Sequence, residues 1–380
     1  MPPNPRPKLI YLVTEDWYFL SHRLPMARAA RDAGFEVVVA TRLGDGRAAI
    51  EAEGFRVAPL DWKRGGWNPF AELCAVAAVR NLYRRERPDI VHHVAMKPVL
   101  EGSLAAWLAG VPTAVNALTG LGYLFTGKQG LARVLGPAVR YALKLLLGRG
   151  RRWRLVMQNP DDLDLLVLRG IVARERAVLI PGSGVDLAKF SPSPEPPGTP
   201  SAALVARMLW DKGVGELVEA ARILKSRGIA VRVRLVGPLD QENPAAIPHA
   251  TLEQWVAEGV AEWTGPVKDV AGLWRETSIA VLPSYREGLP KALLEAASCG
   301  RPMIAADVPG CREIVRHEET GILVPPRDPK ALAEALARLA ADQGLRRRLG
   351  AAARKTAEKR FSDKVIAGAT VELYRALSRR

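Results

Sequence analysis

The sequence predicts an α/β protein built of two doubly wound parallel-sheet domains that face each other across a cleft. Three observations carry this. Short β-branched runs alternate with helical stretches along nearly all of the chain. The alternation stops once, at Ser191–Pro200, which holds five prolines in ten residues, and then restarts. The length, 380 residues, suits two domains of roughly 100–200 residues each.

In the first half the predicted strands are Lys8–Val13, Glu36–Thr41, Arg56–Asp61, Asp89–Val94, Thr113–Leu118, Arg154–Asn159 and Ala177–Pro181. Helical patterns such as Asn68–Arg87 lie between them, and Gly34, Gly110 and Gly170 stand where helices should stop. The proline stretch is too poor in donors to join a sheet, so it marks an interdomain segment or an exposed loop beside one. Beyond it the predicted strands are Ala202–Ala206, Val231–Val236, Ala261–Thr264, Ile279–Leu282, Met303–Ala306 and Ile322–Val324. From Pro329 onward only helices are expected, ending in Phe361–Leu377. Ligands of open α/β sheets sit beyond the carboxyl ends of strands, so chemistry is sought just after them.

Composition narrows the class. Hydrophobic residues make up 48% and charged residues 25%, as in an ordinary globular chain. Cys74, Cys299 and Cys311 form neither a disulfide framework nor a zinc knuckle, and a reducing cytoplasm fits them. The apolar run near the start is cut by Glu15 and Asp16, which excludes a signal peptide or a membrane span there. The formal charge is +15, of which residues 1–190 carry +10, so the amino-terminal half either meets something anionic or bears the charge as a solubility device.

The most informative segment runs from Ile279 to Asp307: a strand, a loop holding Glu287, a helix opened by Pro290 and stopped by Gly300, and a second strand. Glu295 stands five residues past Pro290, about 7.5 Å along a helix axis. The backbone N–H groups around Gly288, Leu289 and Lys291, with the positive end of the helix dipole, suit a phosphate. Carboxylates flanking an anion site are there to accept hydrogen bonds from hydroxyls, and a ligand with phosphates at one end and polyols on both sides is a nucleotide-sugar. The plainer alternative is that Glu287 complements the dipole and Glu295 pairs with Lys291 one turn away.

With these motifs in view, the sequence resembles the retaining GT-B glycosyltransferases of family 4, whose signature is a pair of glutamates in this strand, loop and helix setting. The likeness extends to Arg207 and Lys212 in ARMLWDKGVGELVEA, Gly237, Gly265 in WTG, Pro309-Gly310 before Glu313, and TGILVPPRDPKALAEAL. It implies that Arg207 and Lys212 neutralise the donor diphosphate, that Glu287 meets the donor sugar hydroxyls and Glu295 the ribose, and that Gly288 and Leu289 hold the distal phosphate. Gly237 and Gly265 would also line the donor, and Thr119 and Gly120 either approach it or form an ordinary turn. The resemblance implies residues 1–182 plus 362–380 as an acceptor-side domain with a returning terminal helix, and 183–361 as the nucleotide-sugar domain. No metal or other cofactor is implied; the donor is a UDP-linked hexose or N-acetylhexosamine. The loop Thr14–Tyr18 lacks the family's usual glycine pair, and Thr119 stands where a His is usual.

Within the family the chain looks most like bacterial transferases that build glycans on polyprenyl-diphosphate carriers, through FLSHR at Phe19–Arg23, HHVAMKP at His92–Pro98 and LTGLG at Leu118–Gly122. His92 and His93 are expected to close a strand at the cleft edge. One of them, with His22, either contacts substrate or is structural, and His92 is the candidate taken as catalytic. Lys97 either meets an acceptor phosphate or is solvated.

Lys128 to Arg154 holds eight basic residues and no acid. At about 100° per residue Arg133, Arg140, Lys144 and Arg151 share one line, with Leu131, Val134, Leu135, Ala138, Leu145 and Leu146 opposite. This predicts a basic amphipathic helix that either adsorbs to an anionic membrane rather than inserting, on a cytoplasmic enzyme held at the inner face of the plasma membrane, or packs on the core with a solvated charged face. Asp162-Leu-Asp164 spells a metal-binding triplet, but Asn159 as N-cap and Pro160 at the first helical position explain it. A GT-B epimerase is the enzymatic alternative. A nucleic-acid-binding protein is disfavoured by aromatic content of only 6% and the lack of a reading motif.

Overall fold

A computed structural model of the protein describes residues 6–62, 69–121, 130–241 and 243–378, without the side chains of residues 69 and 130–135. Gly122, Lys128 and the Arg133 side chain therefore lie outside the described residues. The chain divides into two compact units, Met1–Ser183 with Asp363–Arg380, and Gly184–Ser362.

The first unit is a seven-stranded parallel sheet of β1 (Lys8–Glu15), β2 (Glu36–Arg42), β3 (Arg56–Pro59), β4 (Ile90–Val94), β5 (Thr113–Leu118), β6 (Arg152–Met157) and β7 (Ala177–Leu179), in the order β3-β2-β1-β4-β5-β6-β7. Its central strands read LIYLV, VVVA and TAVNAL because both faces are covered by crossover helices. On one face Tyr11, Phe19, Met26, Val39 and Ile366 pack together; on the other lie Ile10, Leu12, Val79, Tyr83 and Val91. The terminal helix Asp363–Ser378 belongs to this unit and buries Ile366, Val371 and Tyr374 in it.

The second unit is a six-stranded parallel sheet of β8 (Ser201–Val205), β9 (Arg232–Val236), β10 (Glu262–Trp263), β11 (Ile279–Leu282), β12 (Met303–Ala306) and β13 (Gly321–Val324), in the order β10-β9-β8-β11-β12-β13. In both units the strand order reverses beside the first strand, so β1 lies next to β4 and β8 next to β11. That reversal opens a crevice at the carboxyl ends of the strands.

Element boundaries shift by one or two residues, as where the terminal helix starts at Asp363 rather than Phe361, and two of the differences have a clear cause. Strand β6 ends at Met157 rather than Asn159, because Asn159 caps the following helix: its side chain accepts from Asp162 N at 2.8 Å, with Pro160 in the first turn. The Ser191–Pro200 stretch lies inside the second unit and is fastened to it. Arg301 donates to Ser193 Oγ at 2.5 Å, and Arg346 pairs with Glu195 at 2.6 Å in a largely buried bridge.

Candidate functional site

Strands β8 and β11 are neighbours in register, Ile279 opposite Ala202 and Ala280 opposite Ala203. Their following loops therefore emerge side by side. Arg207 lies in the loop after β8, Lys212 ends the short 3₁₀ turn Trp210–Lys212, and Glu287 lies in the loop after β11. Lys212 Nζ is 2.6 Å from Glu287 Oε1, both side chains mostly buried.

Backbone contacts fix these loops against each other. Tyr285 N donates to Asp211 O at 2.9 Å, and Tyr285 Oη to Glu216 Oε1 at 2.5 Å. Gly213, at φ +73°, passes so close to the β11 loop that a Cβ there would stand 2.2 Å from Pro283 O. Gly310, at φ +80°, backs onto the Glu287–Gly288 peptide, with a Cβ 2.5 Å from Gly288 O. Pro309-Gly310 thus supports the loop that carries Glu287.

The helix Lys291–Ser298 begins after Pro290, which is its N-cap rather than its first helical residue. Glu295 lies in its second turn. Burial raises the Glu295 pKa, and Lys291, the Trp274 indole and Lys189 pull it back. Gly288 and Leu289 are half-buried just ahead of the helix, whose positive dipole end suits an anion.

Beside the Arg207 loop, Gly237 N donates to Gly265 O at 2.9 Å and Trp263 Nε1 donates to Gly237 O at 3.2 Å. The second unit thus brings Glu287 and Lys212 into contact and joins Gly237 to Gly265 in the adjacent loop. It also reveals a residue that sequence reasoning missed: Arg207 is paired with Asp240, two residues after the Gly237-Pro238 turn. The only signal in the sequence was an acid shortly after a strand.

The remaining candidates belong to the first unit. Thr119 and Gly120 are half-buried just beyond β5. His22 ends the helix Asp16–His22, stacked on Tyr18 at a centroid distance of 4.2 Å. The expected position of His92 and His93 is corrected: both lie inside β4, not at its end, and are buried. His93 Nδ1 donates to Asn116 Oδ1 at 2.6 Å and its Nε2 accepts from Tyr83 Oη at 3.0 Å, so its hydrogen-bonding capacity is filled within the core. His92 stacks on Tyr11 and its Nδ1 is bonded to Tyr374 Oη. Lys97, partly exposed, lies 2.8 Å from Glu72 and 3.4 Å from Glu101. The turn before it is strained, with Ala95 at φ +77°.

The basic stripe is also corrected. The helix Gly130–Leu147 ends before Gly148 and Gly150, so Arg151 lies outside it. Its core-facing residues are Val139, Leu143 and Leu147, one turn apart, while Tyr141 is 65% and Leu145 43% exposed beside exposed Lys144. Arg140 is half-buried. No described helix is long and apolar enough to cross a membrane. Among the described residues no three His, Cys, Asp or Glu side chains gather as a metal cluster would require.

Comparison with known proteins matches both units. The family model for glycosyl transferases group 1 matches residues 199–342, and that for glycosyl transferase 4-like proteins matches residues 8–149. The chain is 27% identical to the N,N'-diacetylbacillosaminyl-diphospho-undecaprenol alpha-1,3-N-acetylgalactosaminyltransferase of Campylobacter jejuni, covering 94% of this chain and 97% of that one. It is 32% identical to a D-inositol 3-phosphate glycosyltransferase of Streptomyces bingchenggensis, covering 80% and 71%. Its fold matches sucrose-phosphate synthase from Thermosynechococcus elongatus with a TM-score of 0.81 at 22% identity, over 98% of this chain and 99% of that one. The epimerase alternative finds no support among these relatives.

Proposed function

Given that this GT-B chain belongs to the group 1 glycosyl transferases and is a glycosyltransferase, we propose that it moves a sugar from a nucleotide-sugar to a hydroxyl of a lipid-linked glycan, with retention at the anomeric carbon. The donor is a UDP-hexose or UDP-N-acetylhexosamine and the product a cell-surface glycan. The acceptor class rests on the activity of the Campylobacter relative, which spans nearly the whole chain.

The observation that carries the assignment of residues is the Lys212–Glu287 pair at the reversal of the second sheet. As the bond from the anomeric carbon to the diphosphate breaks, charge grows on the leaving phosphate. Lys212 and Arg207 stabilise that charge more than the ground state, which is what accelerates the step. Glu287 accepts from the donor sugar hydroxyls and Glu295 from the ribose. The N–H groups at Gly288 and Leu289 bind the distal phosphate, and Gly237 and Gly265 let backbone approach the nucleotide. The acceptor oxygen bonds to the same face of the sugar, and its proton passes to the departing diphosphate. His22, Thr119 and Gly120 lie on the acceptor-side unit; Lys97, held by Glu72 and Glu101, orders the start of its helix.

The enzyme works at the inner face of a membrane. Exposed Tyr141 and Leu145 share a face with Lys144, and the exposed Trp107 ring lies 4.3 Å beneath the Arg149 guanidinium. Arg151 and Arg152 follow, both exposed. Aromatic and aliphatic side chains ringed by cations match the interface of an anionic bilayer, so Tyr141 and Leu145 insert while the cations adsorb. The test of function is a panel of nucleotide-sugars against polyprenyl-diphosphate glycans, read by mass. Donor turnover without transfer to any acceptor would overturn the proposal.

A further inference from the structure

Beneath the terminal helix of the first unit lies a small, partly open pocket. It is lined by Arg23, His92, Gln158, Gly182 and Thr370, with apolar residues of β5 and β6 behind them. It has room for one water-sized group.

Two side chains bring unanswered polar atoms to it. Arg23 is 4% exposed, and its Nε has no hydrogen-bond partner. Its Nη1 lies 3.8 Å from the Met26 sulfur, and among the described residues no carboxylate comes within ion-pair distance of it. His92 is 2% exposed, and its Nε2 likewise has no partner. Buried polar atoms are nearly always satisfied, and an unpaired buried cation costs several kcal/mol.

The neighbours do not supply a negative charge. A guanidinium keeps its proton in any protein setting. Tyr11 Oη and Tyr374 Oη are 2.7 Å apart and fully buried, so both stay protonated phenols; burial pushes Tyr11 up to about 12 and Tyr374 well above its ordinary value. Burial first, then the Arg23 charge, holds the His92 pKa well below its ordinary value, so the ring is neutral. Thr370 has its hydroxyl committed to Ile366 O at 2.8 Å.

We propose that the Arg23–His92–Gln158 pocket is a binding site for one monatomic anion of the chloride class. The relay then has one direction: Tyr11 Oη donates to Tyr374 Oη, which donates to His92 Nδ1, leaving Nε2–H to point at the anion beside the guanidinium. The Gln158 amide supplies a third donor. The anion neutralises the buried charge and fixes the His92 tautomer, tying β4, the Arg23 turn and the terminal helix together. A tetrahedral oxyanion does not fit a space for one water-sized group.

The test uses the full chain in sodium gluconate, titrated at constant ionic strength with sodium chloride or bromide, following the melting temperature of the first unit. A saturable rise with both halides, and none with phosphate beyond that of gluconate, is expected. Arg23→Gln should abolish the rise, and Gln158→Leu should raise the halide concentration needed for half-effect by about tenfold, about 1.4 kcal/mol. Gln158→Leu keeps the test decisive if Arg23→Gln does not fold. Crystals soaked in bromide should show an anomalous peak between Arg23 and His92. A melting temperature indifferent to halide, or a halide response unchanged in Gln158→Leu together with no bromide peak, overturns the proposal.

Discussion

Lys212 Nζ and Glu287 Oε1 lie 2.6 Å apart across 75 residues of chain, joined because their loops leave adjacent strands at the same edge of one sheet. Each charge is satisfied by the other, so both are held in place before any donor arrives. On the function proposed above, a donor diphosphate would compete with Glu287 for the ammonium and free the carboxylate to accept from sugar hydroxyls.

Removing either partner should cost transfer activity without unfolding the unit. Glu287→Ala and Lys212→Ala are each expected to lower kcat/KM by roughly 10²-fold or more, with unchanged circular dichroism. The double variant should lose less than the product of the two, because the groups act as a unit. Near-normal turnover in either single variant would refute the assignment.

The two glycines of the neighbouring loop should respond differently to the same change. In Gly237→Ala the new Cβ would meet Ala206 O at 1.8 Å with φ at +145°, so backbone must move. Gly265 has φ +65° but open space around it, so Gly265→Ala carries only the left-handed penalty of about 1–2 kcal/mol. Thermal melts should show a small drop for Gly265→Ala and loss of the second unit's transition for Gly237→Ala.

Acid should weaken the first unit through His93. Burial holds its pKa down at about 4, from an ordinary 6.5, with only the Asn116 bond opposing. The unfolded chain therefore takes up the proton first. Stability is full above about pH 6.5 and falls as pH drops toward 4, by about 3 kcal/mol for this group. The slope of melting temperature against pH over that window should be shallower in His93→Gln.

Alkali should act through Glu101 in the opposite sense. Burial and the neighbouring Glu72 raise its pKa to about 8, outweighing Lys97. The folded state keeps a proton that the unfolded state has already lost, so stability declines as pH rises toward 8. Glu101→Gln should raise the melting temperature at pH 8.5 and leave it nearly unchanged at pH 4.5. A variant less stable at pH 8.5 would contradict this.

Membrane binding should depend on apolar contact as well as charge. Tyr141→Ser with Leu145→Ser is expected to abolish the fraction that sediments with phosphatidylserine vesicles at high salt. Lys144→Ser should weaken low-salt binding by about fivefold, from about 1 kcal/mol per cation. A double variant that sediments like the wild type at high salt would show that these side chains do not insert.

Several strands were legible because their cause is local. Ile279–Leu282 and Met303–Ala306 are uninterrupted apolar runs between turn signals, Thr113–Leu118 is broken in its interior only by Asn116, and the structure places all three at the same residues. The stripe on Gly130–Leu147 was misread for a different reason. Periodicity fixes the angle between side chains but not which arc the sheet will meet. Val139, Leu143 and Leu147 took the core, and Leu145 was left outside.

By itself the sequence determined the α/β alternation, the Glu287 to Glu295 string and the cations after the first strand of the second half, all of which lie within a few turns of chain. Tertiary structure alone decided that β8 lies beside β11, and so that Lys212 meets Glu287. It also decided that Arg23, Asp240, Glu72 and Tyr374 become partners or neighbours of residues the sequence had singled out. Pairing across a sheet and burial of charge depend on which distant segments pack together, and no local spacing encodes that.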